Sequence, residues 1–267
     1  MASRTSRHDR PPRVTLHGVG LTYFSAQGER AAVKDVSLSI ADGEFVAIVG
    51  PSGCGKSTLL SLIAGLVEPT AGEVRVDGRS VTAPRGEVGY MLQQDYLFEW
   101  RTILQNTLLG AEIQGDDMSR ARERAMDLLT RCGLAQVAHH LPRQLSGGMR
   151  QRAALARTLC TDPGIILLDE PFSALDSQTR LALADEVAET LRRERKTAIL
   201  VTHDIGEAIS MADRVIVMSR GPGQVKSEHV MEFAGATHPA PFAARGAPEF
   251  AGYFNTLWHE LDVHVHG

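Results

Sequence analysis

Nine consecutive residues, Gly50-Pro51-Ser52-Gly53-Cys54-Gly55-Lys56-Ser57-Thr58, carry the most explicit chemistry in the chain. Glycines at this spacing let backbone N–H groups turn inward around phosphate oxygens, and a following helix N-terminus adds positive potential. Lys56 supplies a point charge for the terminal phosphates, and the Ser57 hydroxyl is a hard oxygen ligand suited to Mg²⁺. The pattern has this meaning only between a strand and a helix. Both flanks are present. The apolar run Phe45-Val46-Ala47-Ile48-Val49 precedes it, and Leu59, Leu60, Leu62, Ile63 and Leu66 follow at helical spacing. A nucleoside triphosphate is the predicted ligand.

Three further apolar runs end on residues suited to phosphate chemistry. Glu87-Val88-Gly89-Tyr90-Met91-Leu92 leads into Gln93, Ile165-Ile166-Leu167-Leu168 into Asp169-Glu170, and Ala198-Ile199-Leu200-Val201-Thr202 into His203. Open parallel α/β sheets bind ligands beyond the carboxyl ends of their strands, so four such strands side by side would bring these residues to one edge. Asp169 would reach Mg²⁺ directly or through water. Glu170 points a second carboxylate toward an attacking water, as general base or as its positioner. Gln93 carries a donor and an acceptor, so it can touch Mg²⁺ and water together. His203 is either a hydrogen-bond donor to the γ-phosphate or a structural histidine.

A second phosphate-binding feature lies at Leu145-Ser146-Gly147-Gly148-Met149-Arg150-Gln151-Arg152, where two glycines open a helix with Ala153, Leu155, Ala156 and Leu159 on its apolar positions. Such a helix start has exposed N–H groups. A chain with one glycine loop and one spare anion-binding helix end invites a head-to-tail dimer in which each copy closes the other's site.

These residues must be held by strands and helices in alternation. Short β-like pieces, Val14-Thr15-Leu16 and Val36-Ser37-Leu38-Ser39-Ile40, precede the turn Ala41-Asp42-Gly43, and Glu73-Val74-Arg75-Val76 ends in the turn Asp77-Gly78. Residues 101–160 are mainly helical. Ala121, Ala125, Leu128, Leu129 and Cys132 form one face of a helix that stops at Gly133. A helix spans Asp176 to Arg195, and a last strand Arg214–Met218. Residues 1–13, with Arg4, Arg7, Arg10 and Arg13 around Pro11-Pro12, read as a disordered basic tail.

Composition bounds the partners. At 267 residues, 43% hydrophobic and 22% charged, the chain has the profile of a soluble protein with a sizeable core. A net charge of −4 gives no support for a nucleic-acid-binding body. No apolar run approaches the ~18–20 residues that span a bilayer, and no signal peptide is visible in the polar segment before Val14. Cys54, Cys132 and Cys160 lack metal spacing and read as free thiols of a reducing compartment. Beside Lys56 and a helix start, Cys54 is either a thiol of depressed pKa, open to alkylation, or a small loop filler. His259, His264 and His266 lack a cysteine partner and read as solvated residues rather than metal ligands. Tyr23, taken alone, reads as core packing.

Taken together, the motifs resemble the ATP-binding subunit of an ATP-binding-cassette (ABC) transporter over about residues 14–225. The signature motif stands as Leu145-Ser146-Gly147-Gly148-Met149, with Met149 where many members carry glutamine. Gln93 matches the Q-loop, Ser173-Ala174-Leu175-Asp176 the D-loop and His203 the switch histidine. The resemblance implies an α/β P-loop NTPase fold with an antiparallel β subdomain and an inserted α-helical subdomain. Residues 14–93 and 161–225 would form the nucleotide-binding core, 94–160 the helical insertion and 226–267 a short extension. It also implies ATP hydrolysis with Mg²⁺ at Ser57, Gln93 and Asp169. Tyr23 would then stack on adenine, and Ser146, Gly147, Gly148 and Asp176 would join the nucleotide contacts.

Finer details resemble importers for nitrate, sulfonates, taurine and thiamine precursors. They are Gln93-Gln94-Asp95 followed by Trp100-Arg101-Thr102, then Gly110–Gly115, Ser219-Arg220-Gly221-Pro222-Gly223 and an amphipathic segment Pro248–Leu261. Glu99 and Leu92 stand where such members usually have proline and phenylalanine. The family reading places the chain on the cytoplasmic face of the membrane, bound to permease subunits and served by an extracytoplasmic substrate-binding protein. Leu97, Phe98 and Trp100 are then either a socket for a permease helix or core. The alternative within the family is a single-cassette ATPase of lipoprotein release or cell division. A lone P-loop kinase would leave Leu145–Arg152 without a role.

Overall fold

Three five-residue strands without a single exposed side chain form the centre of the structure: β3 (Phe45–Val49), β7 (Ile165–Asp169) and β8 (Thr197–Val201). Runs this uniformly apolar do not alternate because both faces of the sheet are covered, the situation of parallel strands in an α/β layer. A computed structural model describes residues 12–26, 28–235 and 238–261. In it a six-stranded sheet has the order β10-β9-β3-β8-β7-β6. Its other members are β6 (Val88–Met91), β9 (Arg214–Met218) and β10 (Val225–Val230). All neighbours are parallel except β10, an edge strand that pairs antiparallel with β9.

The two faces of this sheet meet different partners. Val46 and Ile48 of β3 face a core shared with α1 (Lys56–Ile63) and a separate four-stranded sheet. Phe45, Ala47 and Val49 face the helices on the other side. Those are α2 (Ile103–Gln114), α3 (Met118–Arg131), α4 (Gly147–Cys160), α5 (Ser177–Arg193), α6 (Ile205–Met211), α7 (Pro241–Arg245) and α8 (Pro248–Glu260). Each buried Leu, Ile or Val contributes about 1.5–3 kcal/mol.

The small sheet corrects one expectation. The pieces around Val14 and Val36 are parts of two long strands, β1 (Pro12–Ser25) and β2 (Gly28–Ala41), joined antiparallel, with β4 (Ala71–Val76) and β5 (Arg79–Ser80) alongside. Register shifts between Leu16 and Val19 and between Val19 and Leu21 break the two-residue period that betrays a strand in sequence. β1 already begins at Pro12, where Arg13 pairs with Asp42 and Asp77; residues 1–11 of the expected tail lie outside the described residues.

Helices α2, α3 and α4 pack on one another, and their boundaries follow from local chemistry. Thr102 and Gln105 form a reciprocal capping box at the start of α2, and Gly115, at φ 74°, ends it. Asp117 caps α3, whose buried face is Ala121, Ala125, Leu128 and Leu129, and Gly133, at φ 66°, follows its end. Ser146 caps α4 by accepting from the Met149 amide.

Candidate active site

The strand order delivers the predicted convergence. β3, β8, β7 and β6 lie side by side, so Gly50, His203, Asp169-Glu170 and Gln93 leave one edge of the sheet together. A pocket of about 350 Å³ opens there, lined on its strand-end side by Gly50, Ser52, Lys56, Gln93, Glu170 and His203. Gly53, Gly55, Ser57 and Thr58 complete the loop wall, and the small sheet adds Tyr23, Arg30 and Ala32. A roomier cleft of about 560 Å³ lies between α3 and α5, but none of the strand-end residues reaches it.

The loop has the shape an anion cradle needs. Gly53 and Gly55 adopt φ of 74° and 98°, a region that L side chains rarely visit. A Cβ on Gly55 would stand 2.5 Å from Val33 Cγ1 and 2.7 Å from the Ala32 carbonyl oxygen, so only glycine fits. Gly55 is the N-cap of α1 and places no side chain over the first amides, which therefore face the pocket uncovered. Lys56 is 7% exposed, and its ammonium donates to the carbonyls of Gly50 at 2.8 Å and Pro51 at 3.0 Å.

Cys54 is fully buried, and burial pushes its thiol pKa up against the opposing pull of Lys56, whose Nζ lies 3.9 Å from Sγ. The loop-filler reading of Cys54 holds, and the depressed pKa does not. Sequence shows the nearby cation but not the depth of burial that outweighs it.

Asp169 is 3% exposed, and its Oδ1 has no hydrogen-bond partner among the described residues. Burial raises its pKa, and the Ser57 hydroxyl pulls it back. A buried, half-satisfied carboxylate beside a serine hydroxyl is a donor set that a hard divalent cation would complete. Tyr90, unremarked in the sequence beyond its strand, stands close by. Burial and then the Asp169 charge hold its phenol up to about 12, and its hydroxyl lies 3.4 Å from the Ser57 carbonyl oxygen.

Glu170 sits at the meeting point. Its Oε2 accepts from Gln93 Nε2 at 3.2 Å, and its Oε1 lies 3.4 Å from His203 Nδ1. Its φ of 49° is left-handed, a conformation that costs a non-glycine residue about 1–3 kcal/mol and is held here by the Glu170 amide bonding the Val201 carbonyl. His203 is 65% exposed at its side chain, as a group offered to a ligand would be. Tyr23, 46% exposed on β1, lines the same pocket and is not core packing.

Other predicted residues lie elsewhere. Ser146, Gly147, Gly148 and Asp176 do not line this pocket. Gly147 faces open space, whereas a Cβ on Gly148 would come within 2.9 Å of Leu175 Cδ2. Asp176 caps α5 through the amides of Gln178 and Thr179, which hold its carboxyl below the usual range. Pro51 takes part through its carbonyl.

Gln151, within the Leu145–Arg152 motif, joins these regions. Its Nε2 donates to the Glu170 carbonyl at 3.0 Å and to Ser173 Oγ at 3.3 Å, and its Oε1 accepts from the Ala174 amide at 3.0 Å. Arg30 and Ala32 of the pocket wall left no signal in the sequence.

Leu97 is buried, so the expected exposed patch is instead Tyr96, Phe98 and Trp100, with Trp100 74% exposed and its ring 5.0 Å from that of Phe98. Asn106 holds this loop by accepting from the Phe98 amide and donating to the carbonyls of Phe98, Arg101 and Thr102. Of the histidines, His259 lies on α8, while His264 and His266 lie outside the described residues.

Comparison with known proteins gives the site its context. Residues 33–173 match the family model described as ABC transporter. The chain belongs to the ABC transporter family. It is 49% identical over 243 residues to the uncharacterized ABC transporter ATP-binding protein YtlC of Bacillus subtilis strain 168, covering 90% of this chain and 92% of that one. It is 44% identical over 204 residues to the taurine import ATP-binding protein TauB of Yersinia pestis, covering 76% of this chain and 80% of TauB.

Among solved structures, the dimeric post-hydrolysis state of the ATP-binding cassette MJ0796, bound to ADP and Pi, superposes with a TM-score of 0.75. It is 36% identical, over 82% of this chain and 99% of that one. This ABC protein is therefore an ATP-binding ATPase subunit of a transporter, on a P-loop α/β fold. No described helix is long and apolar enough to cross a membrane.

Proposed function

We propose that this ABC ATPase powers an importer of a small anionic or zwitterionic solute of the nitrate, sulfonate or taurine class. In this reading it works as a head-to-tail pair on the cytoplasmic face of the membrane, bound to permease subunits and served by an extracytoplasmic binding protein. The observation that carries the pair is the separation of Ser146, Gly147 and Gly148 from the chain's own pocket, although their helix start is suited to an anion. A second copy turned end for end would supply it. The dimeric MJ0796 cassette and the likeness to TauB support the pair and the direction of transport, respectively.

Lys56 and the amides of Gly53 to Thr58 bind the β- and γ-phosphates, and Tyr23 stacks on adenine. Mg²⁺, when bound by Ser57, Asp169 and Gln93, would neutralise charge on the phosphates. Glu170 takes the proton of the attacking water, with its carboxylate oriented by Gln93 and His203. His203 donates toward the γ-phosphate. Asp176 contributes from the turn that meets the partner.

Nucleotide closes the pair only because it binds the closed form better. Shifting such an equilibrium from 1:99 to 99:1 takes about 5.5 kcal/mol, within reach of two γ-phosphates each gripped by both copies. The rings of Tyr96, Phe98 and Trp100, on a loop tied to α4 through Arg157 and Asp95, are the proposed seat for a permease helix.

The test is to purify the chain with its membrane partner and measure ATP-dependent uptake of taurine, an alkanesulfonate and nitrate in vesicles. Uptake of one of them, abolished by Trp100→Ala without loss of basal ATPase, supports the reading. Release of lipoprotein, or co-purification with division proteins instead of a permease, would overturn it.

A further inference from the structure

One guanidinium ties together the two loops that follow Glu170 and His203. Arg180 lies in the first turn of α5. Its Nη2 donates to the Leu175 carbonyl at 3.1 Å and its Nη1 to Asp204 Oδ2 at 3.4 Å, while its Nε stands 3.7 Å from Glu207 Oε1. Leu175 belongs to the turn that follows Glu170, and Asp204 and Glu207 to the loop and helix that follow His203.

The contacts continue to His203 itself. Glu207 is 4% exposed, and its Oε2 accepts from Thr202 Oγ1 at 2.7 Å. Thr202 Oγ1 in turn accepts from the Asp204 amide at 3.0 Å, and Asp204 Oδ1 accepts from the Glu207 amide at 3.0 Å. Both neighbours of His203 are thus locked into one hydrogen-bonded ring, while its own imidazole holds Nδ1 3.4 Å from Glu170 Oε1. A carboxylate this buried is costly unless a cation faces it. Burial raises the Glu207 pKa and Asp204 adds to the rise, while the Thr202 hydrogen bond first, then Arg180 and Arg245 of α7, oppose it.

We propose that Arg180 is a positioning residue for hydrolysis: it couples the turn Ser173–Asp176 to the loop Thr202–Asp204 and, through Glu207 and Thr202, fixes where His203 presents its ring to Glu170. The inference rests on the roles proposed above for His203 and Glu170. Only a fork of donors spans both loops. A lysine would keep the charge beside Glu207 and lose one of the two attachments. Because Gln151 bonds to Ser173 and Ala174 of the same turn, a displacement of α4 is carried by this route to His203.

A double-mutant cycle in the full chain tests this. Arg180→Ala should lower kcat by about ten- to a hundredfold while KM for ATP stays within about twofold. In a His203→Ala background the same change should add less than about twofold, because its route of action is already gone. Arg180→Lys should keep the wild-type melting temperature and still lose kcat, which separates positioning from folding even if the alanine variant is unstable.

The imidazole resonance of His203, assigned by its loss in His203→Ala, should shift in Arg180→Lys without nucleotide. An equal loss of kcat in both backgrounds, or an unmoved resonance, overturns the proposal. If His203→Ala hydrolyses ATP at the wild-type rate, the role of His203 fails instead, and the resonance alone decides whether Arg180 positions it.

Discussion

Replacing Glu170 with Gln removes a basic oxygen and little else. The amide has nearly the same volume, can still accept from Gln93 Nε2, and leaves the left-handed backbone at φ 49° with its bond to Val201. What disappears is the group proposed above to take the proton. A positioned general base contributes about 10²–10⁴-fold in rate, so hydrolysis should fall by that factor. At about 1.4 kcal/mol per decade this is roughly 3–5 kcal/mol on the barrier. ATP affinity should stay within about twofold, because Lys56 and the loop amides, the proposed phosphate contacts, are untouched and would serve substrate and transition state alike. Phosphate release, fluorescent-nucleotide binding and light scattering on one preparation read all three quantities. The variant should bind ATP, hydrolyse it poorly and accumulate as a dimer. Phosphate release within about threefold of wild type would refute the role of Glu170. A monomer that binds ATP tightly would refute the shared grip.

Tyr23→Ala should weaken ATP binding by about tenfold, since stacking of a base on an aromatic ring contributes about 1–3 kcal/mol, and leave GTP and ATP more nearly equal; titration with both nucleotides checks it. Cys54 should resist a disulfide reagent in the folded protein and react once denatured, with or without ATP, because it is fully buried with a raised pKa; labelling within minutes in the native state would contradict this. Asp162→Asn should destabilise the chain at neutral pH by on the order of 1 kcal/mol, the scale of a half-exposed ion pair. The hydrogen bond from Arg124, aided by Lys196, holds the Asp162 carboxyl at about 2. A depressed carboxyl contributes fully above its unfolded pKa of about 4 and loses that contribution as pH falls toward 2, so the gap between variant and wild type in urea unfolding should narrow over that window.

Much of the site was legible because it is built from contiguous motifs. Gly50–Thr58, Asp169-Glu170, Gln93 and His203 each follow an apolar run, and parallel strands end on one side of a sheet whatever their order. The helices around residues 101–160 showed in spacing and caps, since these are interactions over three or four residues. The long hairpin β1–β2 was harder, because its bulges interrupt the alternation. Gln151, Arg180 and Glu207 were hidden for a different reason. Their partners stand five to 24 positions away, at Glu170, Ser173, Leu175, Thr202 and Asp204, and no local period reports a contact of that kind. The burial of Leu97 and Cys54 was hidden in the same way, as depth depends on which elements close over a residue.

Gln151 is attached to the backbone of Glu170 and to the turn after it, yet it stands one turn into the helix that Ser146 starts. In the proposed assembly that helix start serves the opposite nucleotide. The clasp on one ATP and the water-activating acid for the other would then be parts of a single rigid lever. Loading either chamber would tug on the chemistry of its twin, so a mixed pair with one damaged chamber should turn over at well below half speed.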